Sequence, residues 1–549
     1  MRIGQIIGII VLLTGSGALG DDSDIHLSSL GFLPGRPKKA TIATKCSEFT
    51  VRRASNGDVV TAGQVAGPLH QDDVKQDVWV ADFSQIKDKG KYYVDVPGLG
   101  RSIDFEIGDA VYDSAFSTVM RGFYLWRCGT AVSGEHNGQT YAHAACHMQD
   151  GYEDYIGNPG SRRDGTGGWH DAGDYGKYVV NAGVTVGCMF LAWGHFQDKV
   201  KSIPLNLPDT APGYPEFLKE MKWETDWLLK MPYPDGSGKV SHKLTRVNFE
   251  GFVMPETDTE KRYFTEWSSA AVADFVAMMA MAARYFKPYD AEYSQRCLDA
   301  AEKGYAFLIA NPQAKGFVQG GFRTGGYQTG DPDDRLWAAA EIWETTGKAE
   351  CLKDFETRAV ASSGGKIDED WDWGKVRNLG MFTYVLSKRD GRDPTLLEQV
   401  RRDVLATADA LVTKARQDVY GRPLGGRYYW GCNGTVARQV LNLQIADRVS
   451  PNPEYVNAAL DAVAHLFGRN YYGRSYVTGV GHKPPMNPHD RRSGADNIDA
   501  PWPGYLVGGG RSATNWSDTQ ADYTTNEIAI NWQGALVYAL AGFVSGASQ

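Results

Sequence analysis

The densest chemistry in the chain is Gly167-Gly168-Trp169-His170-Asp171-Ala172-Gly173-Asp174-Tyr175-Gly176-Lys177-Tyr178. Asp171 and Asp174 stand three apart among four glycines, just ahead of an apolar helical pattern. A single Asp would be enough to cap that helix by accepting free backbone N–H groups. Two carboxylates flanked by glycines also let a ligand come close to the backbone. A second constellation, His482-Lys-Pro-Pro-Met-Asn-Pro-His489-Asp-Arg491-Arg492, is a proline-stiffened loop. Its His489 and Arg491 can hydrogen-bond sugar hydroxyls or orient a carboxylate. In a third, Asp518…Tyr523…Glu527, Glu527 enters the first turn of the last apolar pattern, where Glu is also an ordinary favourable charge. Trp430 is a candidate stacking platform, or else a core residue.

Cysteine and histidine mark another chemistry. Cys128, Cys146-His147 and His170 supply two thiols and two imidazoles, a tetrahedral zinc set. Their spacing is too wide for a zinc finger. The seven cysteines are an odd number, so they cannot form a complete disulfide framework. Cys188, Cys297 and Cys351 fall in helical patterns and suit small core positions. Asp368, Asp370 and Asp372 alternate as in an EF-hand, but Gly comes at 374 and Leu at 379, so that motif is rejected. Gly176-Lys177 lacks the preceding glycine and following hydroxyl of a phosphate loop.

These residues need a scaffold, and 549 residues are ample for one. The net charge is -9 with no Lys/Arg block, so the footprint of a nucleic-acid binder is missing. Sixty-three glycines and 24 prolines imply many shaped loops, and 15 Trp with 28 Tyr suit stacking on flat, polar, uncharged ligands. Arg2, the apolar run Ile3 to Leu13 and Ala18-Leu19-Gly20 read as a signal peptide over 1–20, too short for a membrane span. The expected product is a secreted, soluble monomer with no membrane partner.

Between 22 and 107, alternating runs such as Lys91-Tyr-Tyr-Val-Asp-Val predict a small β-sandwich. From 109 to 549 the period becomes helical. Eleven helices are expected: Ala110–Arg127, Tyr175–Phe196, Glu216–Lys230, Ser268–Phe286, Ala291–Ala310, Asp333–Thr346, Trp373–Lys388, Pro394–Arg416, Thr435–Arg448, Glu454–Gly468 and Thr525–Val544. No strand runs alternate with them, so paired helices closing into a toroid are expected rather than a parallel α/β sheet.

Together the three constellations resemble glycoside hydrolase family nine, the cellulase family. Ser475-Tyr-Val-Thr-Gly-Val-Gly-His-Lys…Pro488-His-Asp-Arg491 fits one family signature throughout. Trp516-x-Asp518…Tyr523…Glu527-x-Ala529 fits a second, apart from Gln533-Gly534. The resemblance continues through Gly251-Phe-Val-Met-Pro255, Asp334-Arg-Leu-Trp337 and Tyr429-Trp-Gly-Cys-Asn433. The amino-terminal part, with Leu30-Gly-Phe-Leu-Pro34, resembles the immunoglobulin-like domain that precedes many members. The resemblance implies an all-β immunoglobulin-like sandwich followed by an all-α (α/α)6 barrel. It also implies inverting hydrolysis of β-1,4-glucosidic bonds in cellulose or a related β-glucan, typically as an endoglucanase. Asp174 would then be the general base, Asp171 would help hold the water, and Glu527 would be the general acid. His489, Arg491 and Tyr523 would contact substrate. Cys128, Cys146, His147 and His170 would hold structural zinc. Ser493, Asp496 and the Ile498 carbonyl would form a calcium loop. The family leaves room for exo-acting β-glucosidase, β-glucosaminidase or xyloglucanase specificities. A carbohydrate-binding protein without catalysis is disfavoured, because binding alone does not call for carboxylates on both sides of a bond.

Overall fold

The computed structural model describes residues 24–208, 213–362 and 364–546. The segment read as a signal peptide lies outside them. The alternating region folds as β1 (Ile25–His26), β2 (Lys39–Ile42), β3 (Glu48–Arg53), β4 (Val59–Gln64), β5 (Ala66–Gln71), β6 (Gln76–Asp82), β7 (Gly90–Val96), β8 (Gly100–Arg101) and β9 (Phe105–Ile107). Two antiparallel sheets result, ordered β1-β2-β6-β5 and β4-β3-β7-β8, with β9 also on β7. Side chains alternate between faces along a strand. Phe49, Val51, Tyr92 and Val94 of one sheet therefore meet Ala40, Ile42 and Ala81 of the other in a shared core.

The helical region contains α1 (Asp113–Leu125), α2 (Val179–Val200), α3 (Glu216–Leu228), α4 (Ser269–Phe286), α5 (Ala291–Ala310), α6 (Pro332–Thr346), α7 (Ala349–Ala361), α8 (Arg377–Leu386), α9 (Pro394–Gln417), α10 (Cys432–Val449), α11 (Pro453–Leu466), α12 (Tyr523–Asn526) and α13 (Ile530–Ala541). Contacts run from α2 to α4, α6, α8, α10 and α13, and from α13 back to α2. The remaining long helices pack against members of that ring. α4 begins under a Ser268 cap and buries nearly every side chain, as a helix apolar on all sides must. α9, by contrast, buries a single stripe (Leu396, Val400, Val404, Ala408, Leu411 and Ala415). By composition α2 and α4 are long and apolar enough to cross a membrane, but 83% and 89% of those windows are buried inside the fold.

Three features were not expected from the sequence. α7 buries only Cys351, Leu352, Phe355 and Ala359, so its periodic signal is thin. A hairpin of β10 (Val132–His136) and β11 (Gln139–His143) follows α1. A small antiparallel sheet joins β12 (Lys177–Tyr178), β13 (Lys243–Thr245) and β14 (Tyr263–Phe264). These strands are two to five residues long, too short to alternate visibly.

The sandwich docks on the helices through buried polar contacts. The Val419 amide donates to Gln71 Oε1 at 3.1 Å, and Gln71 Nε2 donates to Asp418 at 3.2 Å. Thr41 Oγ1 donates to the Val419 carbonyl at 2.8 Å and accepts from Arg469 Nε at 3.1 Å. Val78 packs with Val419 and Tyr420. If the sandwich braces the helical unit, Gln71→Ala should destabilise the whole chain by about 1–3 kcal/mol, because buried groups lose their partners. Urea unfolding of the full-length protein checks this, and an unchanged midpoint would show that the contact carries no stability.

Candidate active site

α2 begins only after Tyr178, whose backbone is extended and which makes no side-chain cap. Asp171 and Asp174 therefore lie ahead of the helix, and neither caps it. Asp171 is buried and accepts from Asn181 Nδ2 at 2.8 Å and Tyr327 Oη at 2.6 Å. Asp174 Oδ2 accepts from the Gly176 amide at 2.9 Å and Tyr178 Oη at 3.0 Å.

The loop is pinned to two remote segments through its main chain. The Ile530 amide donates to the Asp171 carbonyl at 2.8 Å, and the Arg491 amide donates to the Gly173 carbonyl at 3.2 Å. The His489 amide in turn donates to the Asn526 carbonyl at 2.8 Å. Glu527 is not in the first turn of the last helix, as the sequence had suggested. It follows α12 in extended conformation, and α13 starts at Ile530. Its main chain bridges His489, and its carbonyl accepts from the Gly508 amide at 2.9 Å. Gly173 sits where the segments cross: a Cβ there would lie 2.1 Å from the His489 carbonyl oxygen.

Charge in this cluster is arranged unevenly. Burial, then the neighbouring Asp174, raises the Asp171 carboxyl well above the usual range. Burial and Asp174 also raise Glu527 well above its ordinary value, against the opposing pull of Arg491. Arg491 itself is held by Glu250, whose Oε1 lies 2.8 Å from its Nε. Glu250 also accepts from the Tyr175 amide at 3.0 Å. His489 Nδ1 donates to the Gln520 carbonyl at 2.7 Å. A neutral ring then presents Nε2 as an acceptor, and burial holds its pKa below the ordinary value.

Asp171, Asp174 and Glu527 share one cavity of about 370 Å³ with Tyr178, Phe249, Tyr327, Asp372, Trp373, Trp430 and Trp532. Trp430 is 49% exposed and Tyr523 48%. Their rings meet edge to face with centroids 5.5 Å apart, and His489 lies 5.8 Å from Tyr523. Trp430 is thus on the cavity surface and not in the core. His489, Arg491 and Tyr523 are bonded or packed to the same cluster, but none of the three is among the residues that line this cavity.

Cys128, Cys146, His147 and His170 are all buried, with donor atoms within 4.8 Å of one another. Cys128 Sγ lies 3.6 Å from His147 Nδ1, the two histidine nitrogens are 3.3 Å apart, and Cys146 Sγ is 3.9 Å from His170 Nε2. His147 Nε2 faces Asp258 at 3.3 Å. All seven cysteines are free of disulfides, and Cys188, Cys297 and Cys351 are buried as expected. The expected calcium loop closes on itself. Asp496 accepts from the Ile498 amide at 3.0 Å and Trp502 Nε1 at 2.8 Å, while Ser493 donates to Asp490 at 2.7 Å. Each oxygen of the one carboxylate in the set thus already accepts an N–H from within the loop. Asp368, Asp370 and Asp372 instead hold Arg377, Tyr429 and Arg438.

Sequence reading missed Asn181, Glu250 and Tyr327. Glu250 stands one residue ahead of the family-like segment Gly251–Pro255, and Tyr327 follows the pair Gly325-Gly326. The glycine pair was the only local sign of a loop approaching the site. If the crossing at Gly173 sets the geometry, Gly173→Ala should reduce hydrolysis by about 100-fold or more, the scale expected for a misplacement of about 1 Å. Steady-state kinetics with a circular-dichroism check of folding test this, and near-wild-type activity would contradict it.

Residues 112–540 match glycosyl hydrolase family 9 and residues 21–101 match the cellulase N-terminal Ig-like domain. The chain is 56% identical over 526 residues to Endoglucanase D of Acetivibrio thermocellus, covering 95% of this chain and 84% of that protein. It is 31% identical over 575 residues to a xyloglucan-specific endo-beta-1,4-glucanase of Bacteroides ovatus, covering 97% and 96%. Its structure superposes on that of a Zn-binding triple mutant of the family 9 endoglucanase J30 with a TM-score of 0.88, at 32% identity over 94% of this chain and all of that one. A cavity lined by Asp171, Asp174, Asp372 and Glu527, on a helical unit preceded by a β-sandwich, agrees with these matches, and the chain belongs to glycosyl hydrolase family 9.

Proposed function

We propose that the protein is a secreted endo-β-1,4-glucanase that hydrolyses glucan with inversion, on an (α/α)6 barrel formed by the ring of helices and their outer partners. The observation that carries this reading is the meeting of Asp171, Asp174 and Glu527 in one aromatic-lined cavity, with Glu527 held protonated above its usual range. The 56% identity to Endoglucanase D supports the endoglucanase assignment.

In the proposed reaction Trp430 stacks on a sugar ring while His489 Nε2 accepts a hydroxyl proton. Asp174 takes a proton from water as the water attacks the anomeric carbon. Its Oδ2 is already filled by Gly176 and Tyr178, which leaves Oδ1 for the water. Asp171 is held rigid through both oxygens by Asn181 and Tyr327 and fixes the floor on which that water sits. Glu527 gives its proton to the departing glucosyl oxygen. An inverting enzyme needs its two acting carboxyl groups about 6.5–9.5 Å apart, with water between. Glu527 acts only while protonated, so activity should fall as pH rises through its raised value. Recognition of a C2 amine would need an available acid. Asp372 lines the cavity, but Arg438 and Asn531 already occupy its oxygens at 2.7 and 2.8 Å, which favours glucan over a glucosamine polymer.

The Cys/His cluster fits zinc. A tetrahedral ion with bonds of about 2.3 Å to sulfur and 2.0–2.1 Å to nitrogen sets its donors about 3.3–3.8 Å apart. The three observed separations are 3.3, 3.6 and 3.9 Å. Cys128, Cys146, His147 and His170 would hold it, with Asp258 orienting His147 from outside. The ion would be structural, fixing His170 next to Asp171 in the chain. Calcium is left aside, because the loop at Asp496 is already hydrogen-bonded.

Asp174→Asn and Glu527→Gln should each fold normally and lose about 10²–10⁴-fold in activity. An aryl or fluoride glycoside, which needs little protonation, should partly rescue Glu527→Gln and leave Asp174→Asn inactive. Proton NMR should show the α-anomer first from a β-linked substrate; the β-anomer first would end the inverting reading. Separately, Cys146→Ser should lose bound metal by elemental analysis and lower the melting temperature more than it alters specificity. Full zinc in that variant, or none in the wild type, would remove the site.

A further inference from the structure

In the reading above Tyr178 shares Asp174 Oδ2 with the Gly176 amide, and its surroundings fix the direction of its proton. Its hydroxyl oxygen lies 3.0 Å from the Gly325 amide and 3.0 Å from Asp174 Oδ2. An amide N–H can only donate, so the phenol oxygen accepts from Gly325 and its single proton goes to Asp174. Burial raises the phenol well above its ordinary value, so it stays a donor.

The ring is built into place. A Cβ at Gly176 would lie 2.3 Å from Tyr178 Oη, and one at Gly325 would lie 3.1 Å from the ring. Tyr327 packs beside it with centroids 4.9 Å apart and donates to Asp171. The loop carrying Gly325 is anchored by Lys243 Nζ, which donates to the Gly325 carbonyl at 2.7 Å and Thr324 Oγ1 at 3.1 Å. Two tyrosines side by side thus serve two carboxylates, one each.

We infer that Tyr178 is a positioning residue for the hydrolytic step. By filling Oδ2 of Asp174 it leaves Oδ1 to take the proton from water, and by donating to the charged carboxylate it extends activity to lower pH. This rests on the assignment of Asp174 as base.

Tyr178→Phe in the full-length protein removes the donor and keeps the ring. On a soluble β-1,4-linked oligosaccharide, kcat should fall about tenfold or more, a fraction of the general-base contribution, while KM changes by less than about twofold. The acid limb of the kcat/KM profile should move to higher pH and the alkaline limb, set by Glu527, should stay. A merely structural tyrosine would not move one limb alone. If Tyr178→Phe does not fold, site-specific 3-fluorotyrosine at 178, a more acidic phenol of nearly the same shape, should move the acid limb to lower pH. An unmoved acid limb in whichever protein folds overturns the inference. If Asp174→Asn is nevertheless inactive, the base assignment survives that failure; if Asp174→Asn is active, the assignment falls with it.

Discussion

Asp171, Asp174 and Glu527 crowd one cavity and repel one another when charged, and burial makes each charge more costly still. The structure answers with donors that hold some oxygens and leave others open. Asp171 has both oxygens engaged, by Asn181 and Tyr327. Asp174 has one engaged twice. Glu527 is drawn down by Arg491 and the Gly173 backbone, yet burial and Asp174 keep it raised. The carboxyl groups therefore differ in hydrogen bonding and surroundings although their side-chain chemistry is almost the same.

Holding such a cluster takes rigid support from below. Lys177 Nζ, buried behind the loop, donates to the Gly165 and Gly167 carbonyls at 2.7 and 2.9 Å and pairs with Asp150 at 3.1 Å. Arg262 shares Asp150 at 3.5 Å and donates to the Tyr175 carbonyl at 2.5 Å. Glu224 accepts from the Trp169 amide at 2.7 Å, and its carboxyl is raised to about 8 by burial. Buried ions of this kind add little net stability, but removing one partner strands a charge. Their effect is to make alternative loop geometries expensive. The Cys/His cluster lies on the same loop through His170.

The second support is the close meeting of main chains at Gly173. Segments near 173, 489 and 527 are hydrogen-bonded directly, backbone to backbone, so the carboxyl groups move together or not at all. Asp518 strengthens the corner by accepting from the Met486 and Asn487 amides at 2.9 and 2.8 Å, which fixes the loop that carries His489. The aromatic rim follows the same plan: Trp430 precedes α10 and Trp373 precedes α8, so helix starts around one end of the ring deliver the cavity wall.

Much of this was legible in the chain itself. Alternation marked the sandwich, helical periodicity marked eleven of the thirteen helices among the described residues, and the residues singled out at 171, 174, 527 and in the Cys/His set are ones the fold brings together. These are local properties, carried by side-chain type and spacing. α7 escaped because a helix with one thin buried stripe leaves a weak period, α12 because four residues make barely one turn, and the added strands because two to five residues give little room for alternation. Glu527 was misplaced because an acid before an apolar run reads as a first-turn charge, whereas pairing with His489 and Gly508 keeps it extended. The calcium loop was suggested by oxygen-bearing residues, and in the fold both Asp496 oxygens accept hydrogen bonds from within that loop. The sequence by itself determined which groups are available and in what order. The fold alone decides which oxygens are already hydrogen-bonded, how burial acts on Asp171 and Glu527, and that Glu250 and Tyr327 adjoin the cluster, because these depend on contacts between segments tens to hundreds of residues apart.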